Sequence, residues 1–226
     1  MANVGHGKRF EKNQSKILHA AAKLFLAKGF RETRMAEIAE LAEVSYGALF
    51  RTFDSKEEIL SELVALVLEA QFETAERLVA GKTEDRILFY AAETTLQLYM
   101  AENSEHMREM YNVSYSLPKS ADVVYRTLTN KLEYVFGEHL PHLETKDFYE
   151  LEIASGGIMR GYMTVPCDIY FTMERKVRRF LETTFLVYRV SDEKIAEAID
   201  FVSRFDYPAI AQATVDSLLT YLENNV

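Results

Sequence analysis

Between Thr33 and Lys56 the sequence reads TRMAEIAELAEVSYGALFRTFDSK, and its hydroxyls and cations are spaced for holding a polyanion. Thr33 and Arg34 open one apolar-periodic segment, and Ser45, Tyr46 and Gly47 open the next. Arg51 and Thr52 follow near its end, and Lys56 begins a third. Cations and helix N-termini fix phosphates, whereas short polar side chains and close backbone read base edges. Other constellations are weaker. Glu102/Glu105/His106 and Glu133/Glu138/His139 pair carboxylates with imidazoles but lack a nucleophile, so glutamate-rich helix surfaces explain them and no catalytic residue is assigned. The run HLPHLE gathers His139, His142 and Glu144, residue types that suit zinc or nickel. Pro141 makes it a turn, where such residues are common, and no metal or cofactor is expected. Cys167 has no cation beside it in VPCDIY, and Asp168 disfavours its thiolate.

These residues need helices to aim them. Ile17, Ala21, Leu24 and Phe25 recur at helical spacing over Ser15–Lys28, and Gly29 stops that helix. Thr33 is placed to cap a second helix, 35–42, which buries Ile38, Ala39 and Leu41/Ala42. Glu43-Val44-Ser45 turns the chain into a short third helix, 46–52, anchored by Leu49 and Phe50/Phe53. Ser55 with Glu58 forms a capping box that opens a long fourth helix. Helix 35–42, a tight turn and helix 46–52 make a helix-turn-helix, a motif that enters the DNA major groove. Such turns need φ > 0 near Glu43, at about 1 kcal/mol for a non-glycine residue.

Charge placement agrees with this reading. The chain has 226 residues and a formal net charge of -9, yet residues 1–56 hold ten Lys/Arg against six Asp/Glu. A basic head on an acidic body is expected where only the head meets a polyanion. One cysteine excludes an intrachain disulfide, and the absence of a long apolar run argues against a membrane span; a cytoplasmic protein is expected. The first residues, MANVGHGKRFEKNQSK, lack the apolar centre of a secretory signal and read as a short arm. Further on come helices over about 84–101, 104–112, 120–136, 146–163, 174–190, 191–205 and 208–223, with breaks at Pro118, Pro141, Pro166 and Pro208. The fold class is all-α. The expected division is an arm and helix-turn-helix domain over 1–56 and a helical effector-binding and dimerisation domain over 57–226.

The stretch KILHAAAKLFLAKGFRETRMAEIAELAEVSYGALFRTFDSKEEIL resembles the N-terminal domain of the TetR (tetracycline-repressor-like) family of bacterial transcription regulators, over about residues 15–62. Two departures stand out. The family usually has glycine where Glu43 stands. It usually has tyrosines at the places of Phe50 and Thr52, whose hydroxyls meet DNA phosphates; Phe50 has none to offer, Thr52 keeps one, and Arg51 adds a charge. The resemblance implies a homodimer on a palindromic double-stranded operator, with half-sites about 34–36 Å apart or a multiple of that. It also implies late helices that pair across a two-fold axis, for which 146–163 and a helix within 174–205 are the candidates. A repressor released by a small apolar or aromatic effector is the expected activity. A helical small-molecule-binding protein or an enzyme with a vestigial head is the alternative.

For the effector, flexible thioethers and aromatics suit an adaptable pocket. Tyr99, Met107, Met110, Tyr111, Tyr115, Met159, Tyr162, Met163 and Tyr170 mark the region, although core packing explains any single one more readily. Gly156, Gly157 and Gly161 in IASGGIMRGYM lower helix propensity, which calls for a packing reason: close approach at the dimer or around a ligand.

Overall fold

The computed structural model describes the backbone of residues 3–226 and the side chains from residue 12 onward. Among the described residues it holds eleven helices and no strand. The head comprises α1 (Asn3–Lys28), α2 (Met35–Leu41) and α3 (Tyr46–Thr52). α4 (Lys56–Val79) leaves it and runs into the body of α5 (Arg86–Glu102), α6 (Glu105–Ser114), α7 (Pro118–Phe136), α8 (Thr145–Thr164), α9 (Met173–Val187), α10 (Asp192–Val202) and α11 (Tyr207–Asn224). The all-α reading and the order of helices match the sequence expectation. The arm does not: α1 starts at Asn3 rather than near Ser15, and residues 1–2 lie outside the described residues. No proline interrupts residues 3–28, so the helix can extend backwards through polar residues that carry no apolar signal.

The head is locked by most of the side chains that the spacing singled out, whereas Leu41 and Phe50 face outward, 49% and 39% exposed. Ile17, Phe25, Ile38 and Leu49 are fully buried, with Ala39, Ala42 and Phe53 almost so. Glu43 has φ 53°, the left-handed conformation expected of it. Around it, Val44 N–H donates to Ala39 O at 3.0 Å and Glu43 N–H to Glu40 O at 3.1 Å. These two bonds close α2 as a Schellman motif and offset the strain of a β-carbon at that position. Ser55 Oγ caps α4 by accepting from Glu58 N–H at 3.2 Å, while Glu58 Oε2 accepts from the N–H of Asp54, one residue before the cap, at 2.6 Å, so the expected capping box is shifted by one residue.

In the body, α5 is the central helix. Every residue from Leu88 to Leu98 on it is buried, and it packs on α4, α6, α7, α8, α9, α10 and α11. A helix apolar all round must sit inside a bundle. Asp85 caps it, accepting from Ile87 N–H at 2.8 Å and Leu88 N–H at 3.3 Å. The body also reaches back to the head: α1 packs against both α6 and α11. At that seam a β-carbon on Gly29 would meet Glu109 Oε2 at 2.2 Å, so α6 crosses close against the end of α1.

Candidate nucleic-acid interface and effector cavity

Ser45 caps α3 by accepting from Ala48 N–H at 3.1 Å, and its own proton stays free to donate. From this cap Ser45, Tyr46, Gly47, Phe50 and Arg51 emerge together on the exposed face of the helix. Tyr46 and Phe50 are large exposed rings, edge to face at 4.8 Å, so the tyrosine hydroxyl is held on a stiff aromatic pair. Gly47 leaves the surface low beside Arg51, whose Nη1 would stand 3.5 Å from a β-carbon there. Thr52 Oγ1 donates to Ala48 O at 3.0 Å, so its proton is spent inside the helix. Arg34 is exposed at the start of α2, and its N–H donates to Glu37 Oε2 at 2.8 Å.

Two expected phosphate-binding groups are differently employed. Thr33 is buried, its hydroxyl donating to Gly29 O at 2.7 Å, and the N-cap position of α2 falls on Arg34 instead. Lys56 Nζ donates to Phe30 O at 2.6 Å, Thr33 O at 2.7 Å and Arg31 O at 3.2 Å, and lies 4.4 Å from the centre of the Phe30 ring. An ammonium has three protons, and here each has a carbonyl. Burial pulls its pKa below the usual lysine value. Lys56 therefore pins the loop between α1 and α2 rather than pointing at DNA. Sequence distance hid this, because its partners lie 23 to 26 residues away.

The body contains a cavity of about 80 Å³. Met107, Met110, Tyr111 and Tyr115 of α6 line it, four of the residues named from sequence. Leu63, Val64 and Val67 of α4 and Val215, Leu218 and Leu219 of α11 complete the apolar wall. Ala22 and Leu26 of α1 also face it, so the head itself contributes to the wall. The sequence reading missed α1, α4 and α11, since their leucines and valines look like any core stripe. Met159 lines a second, smaller cavity of about 30 Å³ beside the first. The other four expected residues stand apart from both. Tyr99 stacks on Tyr207 with ring centres 5.3 Å apart, Tyr162 faces Thr183 and Phe171, and Met163 is buried in the core. Tyr170 is 79% exposed on the segment between α8 and α9, where Asp168 Oδ1 accepts its N–H. Proximity in sequence to Met and Tyr clusters drew these four in, but helix phase turns Tyr99, Tyr162 and Met163 elsewhere and Tyr170 lies between helices.

Cys167 does have a cation near it, contrary to the sequence reading. The buried Lys176 ammonium donates to Glu102 Oε2 at 2.6 Å and Val165 O at 2.6 Å, and Cys167 N–H donates to Glu102 Oε1 at 2.9 Å. Burial nevertheless pushes the Cys167 thiol up, so it stays a thiol. Among the described residues no group of His, Cys, Asp and Glu is arranged to hold a metal ion; His139 Nε2 lies 3.2 Å from Arg189 O.

Residues 17–63 match the sequence profile of bacterial regulatory proteins of the tetR family. In its head the chain is similar to TetR-family regulators. Its matched segment is the head and the first turns of α4, close to the 15–62 that the motifs marked out. A curated relative, the HTH-type transcriptional repressor KstR2 of Rhodococcus jostii, is 32% identical over 93 residues, covering 41% of this chain and 45% of that protein. The HTH-type transcriptional regulator TtgR of Pseudomonas putida is 35% identical over 78 residues, 34% of this chain and 35% of that one. These alignments span less than half the length of either relative. Likeness in fold alone extends further. RolR in complex with resorcinol superimposes with a TM-score of 0.66 at 15% identity, over 88% of this chain and 97% of that one. The SmeT–triclosan complex gives 0.53 at 19% identity, over 80% and 92%.

Proposed function

We propose that this chain is a TetR-family, ligand-responsive, DNA-binding transcriptional regulator that works in the cytoplasm, a repressor released from a palindromic operator by a small apolar or aromatic effector. The observation that carries the reading is the shared wall: α1 of the head and α6 of the body both line the cavity. α6 also carries Glu109, whose Oε1 accepts from Arg31 N–H in the head at 3.1 Å. At about 80 Å³ the cavity is far below the roughly 300 Å³ or more that encloses a drug-sized ligand, so occupation has to push helices apart. An effector that binds the widened body more tightly than the closed one shifts the heads by that difference in affinity. KstR2 is described as a repressor, and RolR and SmeT were crystallised with small aromatic ligands, which supports this direction.

Reading bases falls to Ser45, Tyr46 and Gly47; Arg34 and Arg51 hold phosphates, with Phe50 against sugar or methyl groups. The homodimer forms through α8 and α9. Tyr149, Ile153, Gly157 and Gly161 follow one another at four-residue steps along α8. Tyr149 and Ile153 are exposed, and β-carbons on the two glycines would meet nothing within 4 Å. Leu186 of α9 is 66% exposed. A stripe of exposed apolar and small residues on adjacent helices suits close helix packing across a two-fold axis. A mobility-shift titration on the duplex upstream of the chain's own gene tests the reading. Retention by the wild type, loss with Tyr46→Ala, and release by small aromatic compounds are expected; equal retention of unrelated DNA by wild type and Tyr46→Ala would defeat it.

A further inference from the structure

The smaller cavity has an unusual lining. Glu93 of α5 and Glu152 of α8 both face it, each 3% exposed, and among the described residues neither Oε1 has a hydrogen-bond partner. The second oxygen of Glu152 accepts from Ser155 Oγ at 2.9 Å, and Ser155 Oγ accepts from Tyr188 OH at 2.7 Å. Buried carboxyl oxygens left open cost several kcal/mol each unless something fills them, and chains keep such groups where a ligand does. The two cavities adjoin: Gln97 and Tyr115 line both, joined by a 3.1 Å hydrogen bond from Gln97 Nε2 to Tyr115 OH. On the apolar side, Gln71 is fully buried with neither amide atom partnered among the described residues. Gly156 makes the room, since a β-carbon there would stand 3.0 Å from Glu152 Oε1 and 3.2 Å from Tyr115 Cε1.

We infer that the effector is an amphipathic monocation, whose apolar body fills the cavity between α4, α6 and α11 and whose amine passes Gln97 and Tyr115 to meet Glu93 and Glu152. This rests on the ligand-responsive reading and names the chemical class of the ligand. Charge selects the class. The titratable groups facing the chamber are Glu93 and Tyr90 from α5, Tyr115 from α6, Lys131 from α7 and Glu152 from α8, with Tyr188 from α9 behind Ser155. The tyrosines are neutral. Lys131 Nζ lies 4.6 Å from the centre of the Phe72 ring and supplies one positive charge. Two carboxyls against one ammonium can balance one more cation, which draws their protons off as it enters.

Calorimetric titration with phenylbutylamine, phenylbutanol and phenylbutyrate, alike in their apolar part, tests the inference. The amine should bind at least about tenfold more tightly than either the alcohol or the acid. Burial pushes both carboxyls up to about 8, so they are largely protonated in the free protein near neutrality. Amine binding at pH 6.5 should therefore release protons, seen by repeating the titration in buffers of different ionisation enthalpy, and its affinity should rise towards pH 8. The alcohol should release none. The double variant Glu93→Gln/Glu152→Gln, its folding confirmed by thermal melting, should bind amine and alcohol alike. Equal affinity of wild type for amine and alcohol, amine binding without proton release, or no binding of the amine each overturns the inference. A mobility shift in parallel separates the two claims. Carboxylate-dependent amine binding that leaves DNA retained supports the site and contradicts the regulator reading. Release of DNA by amine and alcohol equally supports the regulator and overturns the site.

Discussion

Three carbonyls take up the three protons of the Lys56 ammonium, and that decides how its loss will read out. Lys56→Met keeps the stem over Phe30 but abandons the carbonyls. It should lower stability by about 1–3 kcal/mol in denaturant unfolding, and weaken every DNA sequence through a loosened head. An unchanged unfolding midpoint with weaker DNA binding would restore the phosphate role to Lys56. Deeper in the body, Glu93 and Glu152 set a pH dependence. Each has an ordinary value of 4.5 that burial raises to about 8, so the folded state holds these protons more tightly than the unfolded chain does. Their stabilising effect is complete below about pH 4.5 and is lost as pH rises towards 8, at up to about 1.4 kcal/mol per pH unit for each carboxyl. Melting temperature between pH 5.5 and 8.5 should fall in the wild type and flatten in Glu93→Gln/Glu152→Gln; parallel slopes would contradict the burial of charge argued for this chamber. Residues whose role is set by neighbours in sequence were legible, as at Ser45, Ser55 and Glu43. Those whose role is set by distant partners, as Lys56 and Glu93, were not.

At the scale of helices, α6 has two faces that answer to different parts of the molecule. Met107, Met110 and Tyr111 point into the cavity, while Glu109 holds Arg31 N–H and sits against Gly29. A ligand that displaces α6 must disturb this seam. Glu109→Ala removes the seam without touching the cavity wall. It should leave effector affinity nearly unchanged while cutting the effector's influence on DNA affinity, a coupling typically worth about 1–3 kcal/mol. Anisotropy titrations of operator DNA with and without phenylbutylamine measure it; full coupling in the variant would place transmission elsewhere, as through α1 and α4. Helix order, caps and proline breaks were readable from period and punctuation. The cavity walls were not, because an apolar stripe on α4 or α11 looks the same whether it meets another side chain or an empty space.

For the whole molecule, uneven charge and an uncovered stripe matter most. The proposed dimer sets the stripe along α8 against a second copy. Ile153→Glu should shift the chain from dimer to monomer in light scattering and weaken operator binding with it, since one head reads only a half-site. A dimer that survives unchanged would move the interface off α8 and α9. The overall acidic charge does not oppose DNA binding, because the first 56 residues carry ten basic against six acidic residues. The salt dependence of binding to the upstream duplex tests the central claim most directly. The logarithm of the wild-type binding constant should fall linearly with the logarithm of salt concentration, by about 0.9 for each phosphate neutralised, and Arg51→Ala should reduce that slope by about one. A constant independent of salt, or a slope that Arg51→Ala and Arg34→Ala leave untouched, would contradict the assignment of this head to DNA.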